Sequence, residues 1–378
     1  MRPRMRWTAA MVLLVALAGC SAPERGGDIV ALGAILPLSG DDARSGACVL
    51  EGMRLAAKQD GLPLEIVARD ASGSVGGALR CLGELADEPR VLAVVGGWRA
   101  ASGRPLEAAA AARAVPFVAL SPLACPDEVV PGAFPLHHIA SLATAAARFA
   151  REDLGARSAG VVRAPGGEAC AVLADAFARA FTAGGGGVRW TAQPDTNGKI
   201  VGPPATGAKV DVVWVAGGGS LASRFAAAWP ALRGTPIVLP EGWDLEGLDA
   251  LAASGTAVRV VTFFASADTD ERTHRFVTAC SAAGIVPTPA HALGWDFVNA
   301  IREAAKAGGP TREGVLRGIS GTATFEGVTG RLALGVGPER PAVSAITGDG
   351  TRLLRRVDAD PPPKADRPAT AAAHHAGA

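Results

Sequence analysis

The sequence predicts an α/β protein built as two doubly wound, Rossmann-like lobes. Two observations lead there. Apolar runs of strand length alternate with stretches of helical periodicity, and this rhythm pauses once, near Phe134 to Ser141, before it resumes. At 378 residues the chain has the length of roughly two to three domains of ~150 residues each, so two lobes fit it.

Ile29 to Leu36 reads as the first strand, followed by a helix from about Cys48 to Gln59, a strand Leu64 to Arg69 and a helix Ala78 to Ala86. Next come a strand Val91 to Val95, a helix Ser102 to Ala114 and a strand Val115 to Leu120. Four apolar strands joined by helical crossovers make a parallel sheet covered on both faces. After the pause the pattern gives a helix Leu142 to Asp153 and strands Ala159 to Val162, Val188 to Thr191, Val210 to Val215, Ile237 to Leu239 and Val258 to Phe264, a second α/β lobe of similar build. From Asp270 to Gly318 the periodicity is helical, broken at Pro287, Pro289 and Gly308-Gly309-Pro310. Gly330 to Leu334, Ala342 to Thr347 and Arg352 to Arg355 are short strands between Gly and Pro turns, which predicts an antiparallel addition at a sheet edge. Doubly wound sheets take ligands at the carboxyl ends of their strands, so the candidate site is a cleft between the lobes.

Composition narrows the function. Hydrophobic residues at 49% against 19% charged exclude a disordered chain or a coiled coil. With 37 Lys+Arg against 36 Asp+Glu there is no overall field to grip nucleic acid. Tyr is absent, so any ring stacked on a ligand has to be Trp, Phe or His. Gly184 to Gly187 and Gly217-Gly218-Gly219 lack the spacing of phosphate-binding loops and read as turns. No Ser-His-Asp order accompanies a nucleophile elbow, so no enzyme is expected. No CxxC or His-containing cluster stands out, so neither a metal nor a cofactor is expected. His137-His138 falls in the pause between lobes and is expected at a hinge or on the surface; His374-His375 lies in the tail.

The N-terminus sets the compartment. Arg2, Arg4 and Arg6 precede the apolar run Ala9 to Ala18, which is shorter than the ~18 residues of a spanning helix, so residues 1–19 read as a secretory leader. Leu17-Ala18-Gly19-Cys20 resembles a bacterial lipobox, in which the cysteine becomes the lipid-modified first residue. Acyl chains on Cys20, at ~0.8 kcal/mol per buried CH₂, would hold the mature protein on a membrane of the cell envelope, facing the periplasm or the exterior. Loss of the leader removes three Arg and no acid, leaving 34 basic and 36 acidic residues. Residues 20–27 read as a tether and 357–378, with Pro361-Pro362-Pro363 and an Ala-rich end, as a disordered tail. Cys48, Cys81, Cys125, Cys170 and Cys280 make an odd count beyond Cys20, and spacing does not give a connectivity.

Several segments in order resemble one family. They are Ala34-Ile35-Leu36-Pro37-Leu38-Ser39-Gly40 followed by Gly46 and Gly52, then Val94-Val95-Gly96-Gly97 and Val115-Pro116-Phe117-Val118-Ala119-Leu120-Ser121-Pro122. Pro240-Glu241-Gly242-Trp243-Asp244, Gly294-Trp295-Asp296 and Thr329-Gly330-Arg331-Leu332 follow. Together they resemble the branched-chain amino-acid-binding (leucine/isoleucine/valine-binding-like) branch of the type I periplasmic binding proteins, the solute receptors of ABC importers, over residues 28 to 356. The resemblance implies a three-stranded hinge with crossings near Leu136, Ala265 and Val336. It divides the chain into a first lobe, 28–137 plus 265–336, and a second, 138–264 plus 337–356. It also implies a monomer that closes on a small molecule and presents the closed form to an ABC permease.

In the family, hydroxyls and backbone N–H groups of one lobe hold an amino acid's carboxylate, and a carboxylate of the other lobe holds its ammonium. Carried over, Ala100, Leu123 and Cys125 fall on the carboxylate side, and Ser45 falls where an aromatic is common. Ala100 and Cys125 replace hydroxyl residues. Backbone donors of Ala100 and Ala101 near a helix start remain, and Ser102 serves either as ligand contact or as helix N-cap. Glu241 falls on the ammonium position; a capping role for the helix after Asp244 is the other reading. Glu168 and Gly218 stand where tyrosines wall the pocket, and Trp98 and Trp243 are candidates for the missing apolar wall. These departures bear on specificity more than on class, so the expected ligand is an amino acid or related small polar molecule. They also leave open a sensor or envelope interaction protein of the same fold without a transport role.

Overall fold

A computed structural model of the chain describes residues 30–40, 42–59, 61–97, 100–120, 130, 132–165, 168–195, 199–201, 209–241, 248–321, 325–332, 341–347 and 350–359. The first elements are β1 (Val30–Leu36), α1 (Ala43–Ala57), β2 (Leu64–Asp70), α2 (Val75–Ala86), β3 (Val91–Gly96), α3 (Ala100–Ala112), β4 (Phe117–Ala119) and β5 (Ala133–Pro135). They form a five-stranded parallel sheet in the order β2-β1-β3-β4-β5. The chain then builds α4 (Ile139–Glu152), β6 (Ser158–Arg163), α5 (Glu168–Ala183), β7 (Gly187–Pro194), β8 (Ile200–Val201), β9 (Val212–Ala216), α6 (Gly219–Ala228), β10 (Ile237–Pro240), α7 (Leu248–Ala253) and β11 (Val258–Thr262). The helices α8 (Glu271–Ala282), α9 (Pro289–Gly308) and α10 (Arg312–Gly321) follow, then β12 (Phe325–Gly327), β13 (Gly330–Leu332), β14 (Ala342–Thr347) and β15 (Gly350–Arg356). The second sheet has eight strands in the order β15-β14-β11-β10-β9-β6-β7-β8, parallel from β7 to β11, with β14 and β15 added antiparallel at one edge.

Period-two alternation works here with apolar residues on both faces, because both faces are covered. In β1, Leu32, Ala34 and Leu36 face a core shared with Met53 of α1 and with Phe276, Phe297, Ile301 and Val315 of the returning helices α8 to α10. Ala31 and Ile35 face the opposite core with Leu82 and Leu85 of α2 and Leu106 of α3. In the second sheet Trp214 of β9 stacks on Phe177 of α5, with 5.2 Å between ring centroids, and its indole N–H donates to the Leu173 carbonyl at 3.3 Å. The other face carries Trp190, Phe225 and Leu239.

Some elements differ from the sequence reading. The helix α5 stands where no helix is predicted, and α1 and α3 begin at Ala43 and Ala100, earlier than Cys48 and Ser102. The pause near Phe134 contains β5, a fifth strand of three residues whose Pro135 masks it in the pattern. The antiparallel edge is formed by β14 and β15, while β13 pairs with β12 in a separate two-stranded ribbon. Cys48, Cys81, Cys170 and Cys280 are free thiols; Cys20 and Cys125 lie outside the described residues.

The first lobe is tightened by glycines where α1 crosses α9. A Cβ on Gly294 would sit 2.1 Å from the Val49 carbonyl oxygen, and one on Gly52 would sit 2.0 Å from that of His291. Both obstacles are backbone, which no rotamer change relieves. Gly294→Ala is expected to destabilise by about 3 kcal/mol, read as a lower urea midpoint at unchanged slope. Gly76→Ala, at an open position of α2, is expected to be neutral or stabilising by about 0.5 kcal/mol.

Candidate functional site

In both sheets the parallel strands end on one edge, and the loops leaving that edge carry the sequence-predicted positions. Glu168, Gly218 and Glu241 follow β6, β9 and β10, three neighbouring strands of the second sheet. Glu168 opens α5, and Gly218 is the N-cap of α6. In the first sheet Ser45 follows β1 and is the half-buried third residue of α1, while Ala100, Ala101 and Ser102 form the first turn of α3 after the adjacent β3. Ser102 is therefore inside the helix and not its N-cap. The first-turn amides of α3 have no intrahelical acceptor, which makes that turn a place for an anion. Trp98, Leu123, Cys125 and Trp243 lie outside the described residues.

Glu241 is the residue whose chemistry is defined. The parallel register Pro240↔Val261 places Thr262 and Phe263 beside it. The Phe263 N–H donates to Glu241 Oε2 at 2.9 Å, and the Thr262 hydroxyl donates to the same oxygen. Oε1 takes no hydrogen bond from the described residues. The residue is half-buried, and desolvation pushes its carboxyl pKa up. The two hydrogen bonds and the field of His137 oppose the shift without cancelling it.

His137 links this carboxyl to the first lobe. It is 3% exposed and its neighbour His138 7%, so both are buried and the surface reading of the pair is corrected. The His137 ring stacks on Phe263 at 4.0 Å between centroids, and its Nε2 lies 2.7 Å from Thr329 Oγ1. Asp296 of α9 accepts from the Val328 N–H at 2.8 Å, the Thr329 N–H at 2.7 Å and the Thr329 hydroxyl. With that hydroxyl proton committed to Asp296, the Thr329 oxygen accepts from His137 Nε2–H. Burial pushes the Asp296 pKa up as well, again opposed by its hydrogen bonds and by His137. The motifs around Asp296 and Thr329 are visible in the sequence, but the meeting of Thr329 with His137 is not, since it joins segments 192 residues apart.

A concavity of about 300 Å³ lies at the amino ends of β10 and β11, lined by Phe225, Trp229, Leu232, Ile237 and Thr256, with Arg233 the one charged lining residue among the described residues. It is at the opposite end of β10 from Glu241, so it belongs to a different part of the lobe.

A profile described as periplasmic binding protein matches residues 29–345. The chain belongs to the periplasmic binding protein family. That is a family of binding proteins and not of enzymes, its name implies a place outside the cytoplasm, and the two parallel-sheet lobes fit its type I fold. No curated protein matches the chain. Among solved structures, a leucine binding protein LivK from Thermotoga maritima is 21% identical, with a TM-score of 0.71 over 87% of this chain and 99% of that one. A solute binding protein of an ABC transporter from R. palustris, in complex with benzoate, is 18% identical, with a TM-score of 0.70 over 88% and 98%. LivJ from Streptococcus pneumoniae, in complex with isoleucine, is 18% identical, with a TM-score of 0.65 over 86% and 99%. These likenesses are of fold. Among the described residues no helix is long and apolar enough to cross a membrane.

The raised pKa of Glu241 makes the unliganded protein pH-sensitive in a defined direction. Between the unfolded carboxyl's pKa and its own, the native state keeps a proton that the unfolded state has lost, so stability falls as pH rises through that window. Glu241→Gln keeps an acceptor for Thr262 and Phe263 and removes the charge. Urea titrations from pH 4 to 8 are expected to show the variant at least as stable as the parent at neutral pH, with the difference shrinking towards the acid end.

Proposed function

We propose that this binding protein serves an ABC importer as its solute receptor, takes an amino acid between its lobes and is anchored through a lipidated Cys20. The observation that carries the reading is Glu241, a half-buried carboxyl at a strand's carboxyl end whose second oxygen takes no hydrogen bond from the described residues. Such a group is stabilised in its charged form by a cation delivered to it, and an ammonium is the cation an amino acid brings. The opposite pole of the ligand would meet the first-turn amides of Ala100 and Ala101 in α3. A ligand holding both sites joins the two sheets, and the segment at His137, already bonded to Thr329 and stacked on Phe263, is the hinge about which they would close. The lobes in this reading are 28–137 plus 265–336 and 138–264 plus 337–356.

The solutes bound in two of the similar structures, isoleucine and benzoate, share a carboxylate and differ in the ammonium. The same difference tests the role of Glu241. Dialysed protein is expected to bind members of an amino-acid panel by calorimetry, and proton release, read from the dependence of the heat on the buffer's ionisation enthalpy, should grow as pH is lowered into the range where free Glu241 holds its proton. Glu241→Ala is expected to weaken binding at least ~100-fold. Folded protein silent towards amino acids but responsive to aromatic carboxylates would reassign the ligand class; unchanged affinity in Glu241→Ala would remove the role given to that residue.

A further inference from the structure

We propose that Cys48, Glu51 and His291 form a binding site for a divalent transition metal of the zinc type, on the first lobe and separate from the inter-sheet site. Cys48 and Glu51 stand three residues apart on α1, on one face of the helix, and His291 is the third residue of α9. One donor atom from each, a thiol sulfur, a carboxylate oxygen and an imidazole nitrogen, lies within 4.8 Å of the other two. Glu51 Oε2 is 3.0 Å from His291 Nε2. Tetrahedral zinc with bonds of 2.0 to 2.3 Å separates such donors by about 3.3 to 3.6 Å, so closure on an ion asks for side-chain movements of about 1 Å.

The backbone holds the donors in place. At Gly52 and Gly294 the two helices touch main chain to main chain, and both glycines flank the cluster. His291 is buried, Cys48 half-buried and Glu51 exposed. Two ligands are thus fixed by packing, while the third faces water and gives an ion access, with a fourth position left for a water molecule. Sulfur, imidazole nitrogen and carboxylate oxygen together select zinc over magnesium or calcium, which take oxygen donors alone.

Thr288 supports the outer side of the site. Its hydroxyl lies 2.7 Å from His291 Nδ1, and its backbone N–H donates to the same nitrogen at 3.2 Å. In the metal-free protein Nδ1 therefore accepts and the imidazole proton sits on Nε2 towards Glu51 Oε2; a metal at Nε2 moves that proton to Nδ1, where the Thr288 oxygen accepts it in place of the contact with the backbone N–H. In this state the metal takes the position of the proton otherwise shared by Nε2 and Oε2. Cys48 must lose its thiol proton to solvent, and since burial pushes that thiol's pKa up, loading tightens as pH rises.

The test uses the mature chain carrying His374→Ala and His375→Ala, which removes the tail histidines as competing ligands. Titrated with Co²⁺ as a spectroscopic probe, it is expected to develop a thiolate-to-metal charge-transfer band saturating at one equivalent, and Zn²⁺ is expected to displace the band and raise the melting temperature with concentration. Cys48→Ser should abolish the band, and Cys48→Ser and Glu51→Gln should each weaken Zn²⁺ about tenfold or more while leaving the metal-free melting temperature near that of the parent. His291 is buried and caps α9, so the two α1 variants decide the outcome. Absence of the band, or Zn²⁺ bound as tightly by both variants as by the parent, would overturn the site.

Discussion

Two carboxyl groups taken out of water, Glu241 at the end of β10 and Asp296 inside α9, set the condition that the middle of the molecule has to meet. Each is desolvated, and each is kept tolerable by backbone N–H groups, a threonine hydroxyl and the field of one shared histidine. His137 holds this arrangement together because it stacks on Phe263, next to Glu241, and hydrogen-bonds Thr329, the partner of Asp296. The polar chain thereby runs from the edge of the second sheet to the helices of the first. A buried network of this kind fixes geometry more than it adds stability, since every member that loses its partner becomes costly.

Around that chain the lobes are rigid for ordinary reasons. Both sheets are covered on two faces by helices rich in alanine, leucine and valine, and the close approach of α1 to α9 depends on residues without side chains. Rigid lobes with a polar connection suit the proposed closure on a solute. They also explain how one family serves different ligands: the sheets stay, and the loops at the strand ends change. In this chain those strand ends carry a carboxyl at Glu168 and a glycine at Gly218, and the sequence contains no tyrosine.

Much of this was legible in the linear order of residues. The alternation of apolar runs and helical stretches is written by local geometry, period two against period 3.6, and it yields the two lobes, the parallel strands and the edge hairpin without reference to contacts. Glu241 stands out because, directly after an apolar strand, it falls on the position that the family resemblance gives to the ammonium-binding carboxylate. The misses have local causes too. A three-residue strand ending in proline carries too little pattern to be seen, and α5 is obscured by glycines at both flanks, Gly166-Gly167 and Gly184 to Gly187.

What the chain determined alone, then, is its periodicity and the type of residue at each strand end. Which of those residues meet was decided by the tertiary structure. His137 and Thr329 are 192 positions apart, and Glu51 and His291 240, so neither pair leaves a spacing motif. Hydrogen bonds and metal–donor bonds act over about 3 Å, and only packing, helix on helix and strand beside strand, can bring such distant positions within that reach.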